Sequence, residues 1–337
     1  MNGIIRSQAE YYGDSDKYTG DAGTNTNKWV IEDVFDFVAS NTYPEEQYFE
    51  MVNDIDFNDH PTYKFGIEES IFGASDGNNQ TSGSTTYFVR APHMLLEGNG
   101  HKIRNVILKT KGFLISAYKI QNIVFENLIL MNTTDNSISS VFLLGVYGAA
   151  PTINNVKIGC YLFDSKPDPL FGRGSESCTF NNCTINIKGK VYNGSFYIGQ
   201  NKTGRKLNKC HINLDLNVPN YRSTLGRFFY EMVDSYITGR IVQDISGHDA
   251  TQRELTFPNL MQNSFIAVNV DFPNGGTLKI GHSGSSVINI TGGSFVDKDL
   301  LPEITTNTTS GNIYLLTTEQ ATDPEYLFSI GFPVVPA

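Results

Sequence analysis

Positive charge is in short supply in this chain: 25 Lys and Arg face 35 Asp and Glu, leaving a formal net charge of −10. That balance excludes a general basic field of the kind that holds nucleic acid or an anionic membrane. Cysteine is scarce too, with only Cys160, Cys178, Cys183 and Cys210, and none of them forms a CxxC pair. His211 beside Cys210 is the one histidine near a cysteine, so a zinc-ligand spacing is lacking and no metal or cofactor is expected. No apolar run approaches the ~20 residues of a membrane span. The opening MNGIIRSQAEYYGDSDKY has no apolar centre of a secretion signal. The expectation is a soluble chain made in the cytoplasm, with its cysteines kept as buried thiols.

What is abundant is asparagine, with 32 residues, and glycine, with 31, beside 39% hydrophobic and only 18% charged residues. Such a composition favours turns and extended structure over helix. The arrangement of these residues is periodic. QNIVFENLIL (121–130), NNVKIGCYLF (154–163), NNCTINIKG (181–189), NKCHINLDL (208–216), VDSYITGRI (233–241) and QNSFIAVNV (262–270) are alternating runs, most of them led by an asparagine. Their anchors Phe125, Ile158, Ile185, Ile212, Ile237 and Ile266 are spaced by 33, 27, 27, 25 and 29 residues. A second series, Phe113, Phe142, Phe171, Phe196, Phe228 and Phe257, advances at a similar rate.

Short alternating runs bounded by Asn or Gly read as strands with one buried face. A unit of two or three strands cannot bury that face alone, so it must stack on its neighbours. The expectation is an all-β fold, a single-stranded right-handed parallel β-helix with coils of about 25–33 residues. The second phenylalanine series would form an internal stack. Ile123, Val156, Cys183, Cys210, Ser235 and Ser264, each two residues before its anchor, would form a second inner column. Asparagines preceding the strands suit corners, where left-handed backbone is tolerated and amides stack between coils.

A solenoid needs covered ends. Residues 24–40, TNTNKWVIEDVFDFVAS, read as an amphipathic helix capped by Thr26 or Asn27, with Val30, Ile31, Val34, Phe35 and Val38 on one side. The helix reads as a lid on the first coil, with partner binding as the alternative. Residues 1–23 read as a polar arm and 73–86, GASDGNNQTSGSTT, as an exposed loop. The expected organisation is an arm and capping helix over 1–45, a β-helix over 46–300 and a cap or tail over 301–337. The apolar ending DPEYLFSIGFPVVPA either folds back on the last coil or docks on another chain.

The order YFEMVNDIDFND (48–59), LLEGNGHKIRNVIL (95–108), KGFLIS (111–116) and IQNIVFENLILMN (120–132) resembles the GLUG-type and pectin-lyase-like right-handed parallel β-helix proteins. That group includes tailed-phage virion fibres, appendages and tailspikes. Asp54 and Asp56 match the acidic pair of the motif, residues 98–101 its Gly-Asn-Gly-His bend, and Gly112 and Phe113 a strand start. Ile115 stands where the motif commonly has a second glycine, and the match is close only over 48–131. The bend is then a strand-to-strand turn, and it lacks the following helix that a phosphate loop requires.

The resemblance implies a fold, and a fold does not decide activity. Asp54 and Asp56 are the candidate acidic pair for an enzyme, against the reading that they bond corner amides and loop N–H groups. Asp59 beside His60, Asp164 and Asp168, and the tip bearing Asp244, His248 and Asp249 are weaker acidic candidates. Acidic residues do not recur in register, so neither catalytic nor metal-binding residues are expected. Tyr147, Tyr161, Tyr192, Tyr197, Tyr221 and Tyr236 recur near coil spacing and are candidates for a glycan-facing flank, or equally for ordinary wall residues.

The sequence is read as a non-enzymatic structural protein of a bacteriophage virion, such as a head fibre, tail appendage or decoration protein. Residues 1–45, 320–337 or both would attach it to other virion proteins, and a host surface glycan is a candidate partner for its surface. Homo-oligomerisation is left open. The alternatives are a tailspike-type polysaccharide depolymerase and a bacterial surface adhesin.

Overall fold

The computed structural model describes residues 27–40, 47–67, 79–82, 85–88, 94–109, 117–131, 152–165, 178–191, 204–218, 224–227, 230–242, 252–256, 258, 260–262, 264–271, 277–281, 289–291, 295–297, 314–316, 319–320 and 323–329. Two long sheets dominate them. Sheet A has ten parallel strands, running in order from Trp29–Ile31 through Gln47–Met51, Met94–Glu97 and onward to Asn289–Thr291. Sheet B has eleven strands, beginning at Ile55–Asp56 and Lys102–Arg104 and ending at Tyr314–Leu316. From Gln47 to Asp297 the described strands of these two sheets alternate, advancing one strand in each sheet per repeat, and Tyr314–Leu316 adds a last strand to sheet B. In the C-terminal half a third, three-stranded parallel sheet, Thr224–Arg227, Gln252–Thr256 and Thr277–Gly281, supplies a further wall. The result is an all-β, solenoid-like stack of parallel sheets.

The register follows the sequence period. In sheet B the column Ile55, Ile103, Phe125, Ile158, Ile185, Ile212, Ile237, Ile266, Val296 and Leu315 runs through successive strands. Sheet A carries Phe49, Leu96, Ile120, Ile153, Phe180, Leu207, Met232, Met261 and Ile290 in the same way. The described members from Ile55 to Ile237 and from Phe49 to Met261 are buried and belong to one hydrophobic cluster between the sheets. Alternation places each inward residue above its equivalent at about the 4.8 Å strand spacing, so apolar contact is continuous along the axis.

The corner between the sheets is built from left-handed residues. Asn99, Asn122, Asn155, Asn182, Lys209 and Asp234 all have φ between 47° and 55°. Asparagine tolerates this region better than other residues with a Cβ. The amides also form ladders: Asn181 Nδ2 donates to Asn154 Oδ1 at 2.8 Å, Asn208 Nδ2 to Asn181 Oδ1 at 3.0 Å, and Asn155 Nδ2 to Asn122 Oδ1 at 3.0 Å. Behind the corner, Ile123, Val156, Cys183, Cys210, Ser235 and Ser264 form a buried column. Its polar members satisfy buried donors: Cys210 N–H donates to Ser235 Oγ at 3.0 Å and Ser235 N–H to Ser264 Oγ at 3.1 Å.

The N-terminal expectation needs correction. Residues 24–40 are not one helix: Trp29–Ile31 is a strand in register with Phe49–Met51, and the helix covers only Val34–Ser40. Trp, Val and Ile at 29–31 gain a ladder against the next strand, which outweighs a weak helix propensity. The helix starts instead at Asp33, whose Oδ1 accepts the N–H groups of Phe35 at 2.9 Å and Asp36 at 3.0 Å, so neither Thr26 nor Asn27 caps it. Val34, Phe37 and Val38 are buried, and Phe37 meets Phe57 edge-on at 6.0 Å. Sheet A therefore begins before residue 46, and sheet B continues past residue 300 to Tyr314–Leu316. Within the expected loop 73–86, Asn79–Ser82 pairs antiparallel with Thr85–Phe88, joined by Gly83 and Ser84. A two-residue Gly-x connection between threonine-rich segments is a hairpin signal that composition alone obscured.

Phe113, Phe142, Phe171, Phe196, Phe228 and Phe257 lie outside the described residues. Arg227 and Thr256, the residues immediately before the last two, are register partners.

Candidate functional site

The Gly-Asn-Gly-His stretch bends the chain from Met94–Glu97 in sheet A to Lys102–Arg104 in sheet B. Asn99 and Gly100 take φ of 52° and 84°. At Gly98 a Cβ would lie 2.5 Å from Asn122 O and from Ile123 Cβ of the next repeat, so close stacking demands glycine there. Glu97 accepts from Asn99 N–H at 2.9 Å, from Asn122 Nδ2 at 2.9 Å and from Gln121 Nε2. Burial pushes this carboxyl up, but those hydrogen bonds outweigh it and hold the group below its usual value.

The candidate acidic pair is engaged by the same bend. Asp54 Oδ1 accepts the Lys102 N–H at 3.0 Å and lies 3.3 Å from His101 Nδ1. Asp56 accepts from Arg104 Nε at 2.9 Å, Asn105 Nδ2 at 2.8 Å and Asn58 N–H at 2.9 Å, and its own residue caps the 3-10 turn Phe57–Asp59. Burial works against ionisation of Asp56, yet the hydrogen bonds from Asn105, Asn58 and Arg104 prevail and lower its pKa. The two carboxylates thus bind different structural partners, which is what a coil-to-coil clasp requires. His60, beside Asp59, is buried and its Nδ1 accepts from the Thr62 and Tyr63 N–H groups, which places its proton on Nε2. Among the described residues no group of three or more His, Cys, Asp and Glu side chains is placed to hold a metal ion.

The thiols are separated from this chemistry. Cys160, Cys178, Cys183 and Cys210 are all free and buried. Burial pushes the Cys160 and Cys178 thiols up, and Cys183 is raised by its hydrogen bond with Cys210 and then by burial. Raised in this way, Cys160, Cys178 and Cys183 are poor nucleophiles and poor ligands, while Cys210, whose thiol burial raises but the Cys183 hydrogen bonds lower on balance, is enclosed in the core. His211 faces away from Cys210, on the outer side of sheet B, where its ring stacks on Tyr236 at 4.3 Å and burial lowers its pKa.

Of the tyrosine candidates, Tyr147, Tyr192, Tyr197 and Tyr221 lie outside the described residues. Tyr236 is only 9% exposed, so its packing against His211 makes it a wall residue rather than a free flank. Tyr161 is 47% exposed, and Phe163, two residues on along Lys157–Ser165, is 51% exposed. Beside Tyr161 a recess of about 190 Å³ opens, lined by Gly159, Leu128 and Cys160 together with Tyr161, Asn127, Asn186 and Lys188.

The recess has a local cause. Strand Val124–Met131 carries a bulge, with its register against the next strand shifting between Phe125 and Leu128, and Asn127 takes φ of 54°. The next strand runs through without that bulge, and at Gly159 it has no side chain, whereas its register partners onward are Asn186 and Asn213. Sequence reasoning missed this site, because it arises from two neighbouring repeats together. The available signal was the glycine standing where other repeats carry asparagine.

Among the described residues no helix is long and apolar enough to cross a membrane. No family model matches this chain, and no similar curated protein or solved structure is found.

Proposed function

We propose that the chain is a right-handed parallel β-helix that serves as a stiff, non-enzymatic structural component of a bacteriophage virion. Right-handedness follows the rule for crossover connections between parallel strands. The observation that carries the reading is the unbroken parallel stack. Ten strands follow one another along sheet B's path, and nine intervals of about 4.8 Å give an axis of about 43 Å. Each interval is tied by main-chain ladders, and several by amide or hydroxyl ladders too. The helix Val34–Ser40, packed on Trp29–Ile31 and near Phe57, is the lid of the first coil.

In this role the rod holds an outer face toward the host surface while residues 1–45, 320–337 or both fasten it to other virion proteins as a head fibre, tail appendage or decoration protein. Assembly would place it in the virion after synthesis in the host cytoplasm. Two features support a binding surface over an enzyme. Asp54 and Asp56 are each bound by structural donors, and Tyr161 and Phe163 are exposed aromatic residues two positions apart on one strand of sheet B.

The test is to incubate purified full-length protein with host capsular or wall polysaccharide, measuring pull-down together with new reducing ends and unsaturated uronates. Retention without product supports the proposal. Sustained release of product, abolished by Asp54→Ala or Asp56→Ala, would replace it with a depolymerase. Mass spectrometry of purified virions tests the location, and absence of the chain from particles while it sits on bacterial cells would favour an adhesin.

A further inference from the structure

We infer that the outer face of sheet B around Tyr161 and Phe163 docks residues 323–337 of a second copy of this chain. This goes beyond the function proposed above, since it requires the stacked sheet and no glycan. Leu128, Leu130, Cys160 and Leu162 are buried, so the residues alternating with them face outward. On that face Ile107, Ile129 and Tyr161 are register partners across three adjacent strands, and Met131 partners Phe163. Ile107, Ile129 and Met131 are half-buried, while Tyr161 and Phe163 are exposed. Beside Tyr161 lies the shallow recess at Gly159, whose lining is apolar where it meets solvent. An apolar patch of this kind with a charged margin marks a protein contact.

The margin is basic. Lys188 is the register partner of Tyr161 on the next strand, Lys190 follows it on the same face, and both are exposed. Lys157 is exposed at the start of the strand that carries Tyr161 and Phe163. Asp215 lies in register one strand beyond Lys188 and is followed by Arg240. Cations therefore outnumber carboxylates among the exposed, described side chains of these strands. The sequence shows the same imbalance: residues 94–242 hold 17 Lys and Arg against 9 Asp and Glu, in a chain whose net charge is −10. The net charge conceals a basic middle.

The complementary chemistry is present in the chain itself. DPEYLFSIGFPVVPA, residues 323–337, carries two carboxylates and no Lys or Arg among mostly apolar residues. Asp323 and Glu325 are exposed at the start of the helix Pro324–Ser329. Residues 330–337 lie outside the described residues, and their apolar character is read from the sequence. Apolar side chains of this segment suit the patch, and its carboxylates suit Lys188 and Lys190. Two basic faces packed on each other would set lysine against lysine, so the contact is heterologous and joins copies into a ring or an open chain. Burial of the apolar residues supplies most of the affinity, while exposed ion pairs contribute little and chiefly orient the segment. In the virion reading, residues 1–45 then make the attachment to other proteins.

The experiment is sedimentation velocity on the full-length protein over a wide concentration range, with a synthetic peptide of residues 323–337 as competitor. Wild type is expected to form concentration-dependent species larger than a monomer, which excess peptide disperses. Tyr161→Ser with Phe163→Ser should weaken association at least about tenfold, and Lys188→Glu with Lys190→Glu about fivefold. Circular dichroism and melting temperature should be unchanged in both, since all four side chains are exposed. Adding Asp323→Lys and Glu325→Lys to the Lys188→Glu, Lys190→Glu chain should restore association. Association that persists unchanged in both face variants overturns the inference, and so does a protein that stays monomeric at every concentration. In the monomeric case, free peptide bound by the Asp323→Lys, Glu325→Lys variant and not by wild type would identify the chain's own segment as the occupant. Peptide bound by neither would exclude the segment from this face.

Discussion

Ser235 offers a test of how the inner corner is held. Its side chain is fully buried, its Oγ accepts the Cys210 N–H at 3.0 Å, and it donates to Val233 O at 2.7 Å. Ser235→Ala removes the acceptor and leaves that N–H in the core, a loss of about 1–3 kcal/mol. Val233 O loses less, since it still accepts from Lys209 N–H at 2.9 Å. The expected total is about 2–3 kcal/mol. Because each repeat contacts mainly its neighbours, the effect should be concentrated around one corner. Urea unfolding followed by circular dichroism reads the global part. Hydrogen exchange at the Cys210 amide reads the local part, where about 2 kcal/mol is roughly a 30-fold loss of protection. Ser235→Cys is the rescue: Cys210 Sγ already accepts the Cys183 N–H at 3.4 Å in the equivalent place, so the variant should stay within about 1 kcal/mol of wild type. Unchanged protection in Ser235→Ala, or equal damage from both variants, would refute the idea that this column is a donor-acceptor relay.

Gly239→Ala should be poorly tolerated, since φ is 118° and a Cβ would stand 1.9 Å from Leu214 O. A loss above about 3 kcal/mol in urea unfolding is expected, against about 1 kcal/mol for Gly100→Ala, where nothing lies within 4 Å. Glu97 and Asp56 have lowered pKa values. Their stabilisation is thus present above the unfolded values near 4 and lost as pH falls through the folded ones, so an acid titration of the melting temperature should decline below about pH 4. Glu97→Gln should lower stability by about 1 kcal/mol at pH 7 and flatten that decline. Lys209→Asn should raise stability by about 0.5–1 kcal/mol in the same assay, since Lys209 holds φ of 54° where earlier coils use asparagine.

The strand column from Phe125 to Ile237 and the inner column from Ile123 to Ser264 were legible in the sequence because both obey one period, and every member is buried. The corner asparagines were legible for the same reason. The helix boundary was not. Val30 and Ile31 satisfy a helical stripe as well as a strand, and only the long-range pairing with Glu50 and Met51 decides between them. The hairpin at Asn79–Ser82 was hidden by a polar composition typical of loops. Tyr161 and Tyr236 look equivalent by spacing, but His211 covers one and Gly159 exposes a recess beside the other. Neighbours contributed by adjacent coils decide such differences, and they are not encoded at either tyrosine.

The most direct measurement of the stacked coil is cysteine cross-linking along the outer column of sheet B. Asn186 and Asn213 are 27 residues apart in sequence and register partners on adjacent strands, whereas Thr238 follows one strand further. At a strand spacing of about 4.8 Å, adjacent positions fall within the Cα separation a disulfide needs and positions two strands apart, at about 9.6 Å, do not. Under mild oxidation, Asn186→Cys with Asn213→Cys should give the cross-linked peptide by mass spectrometry, and Asn186→Cys with Thr238→Cys should give none. Failure of the adjacent pair in folded protein, or cross-linking of the distant pair, would contradict the stack on which the rod is built.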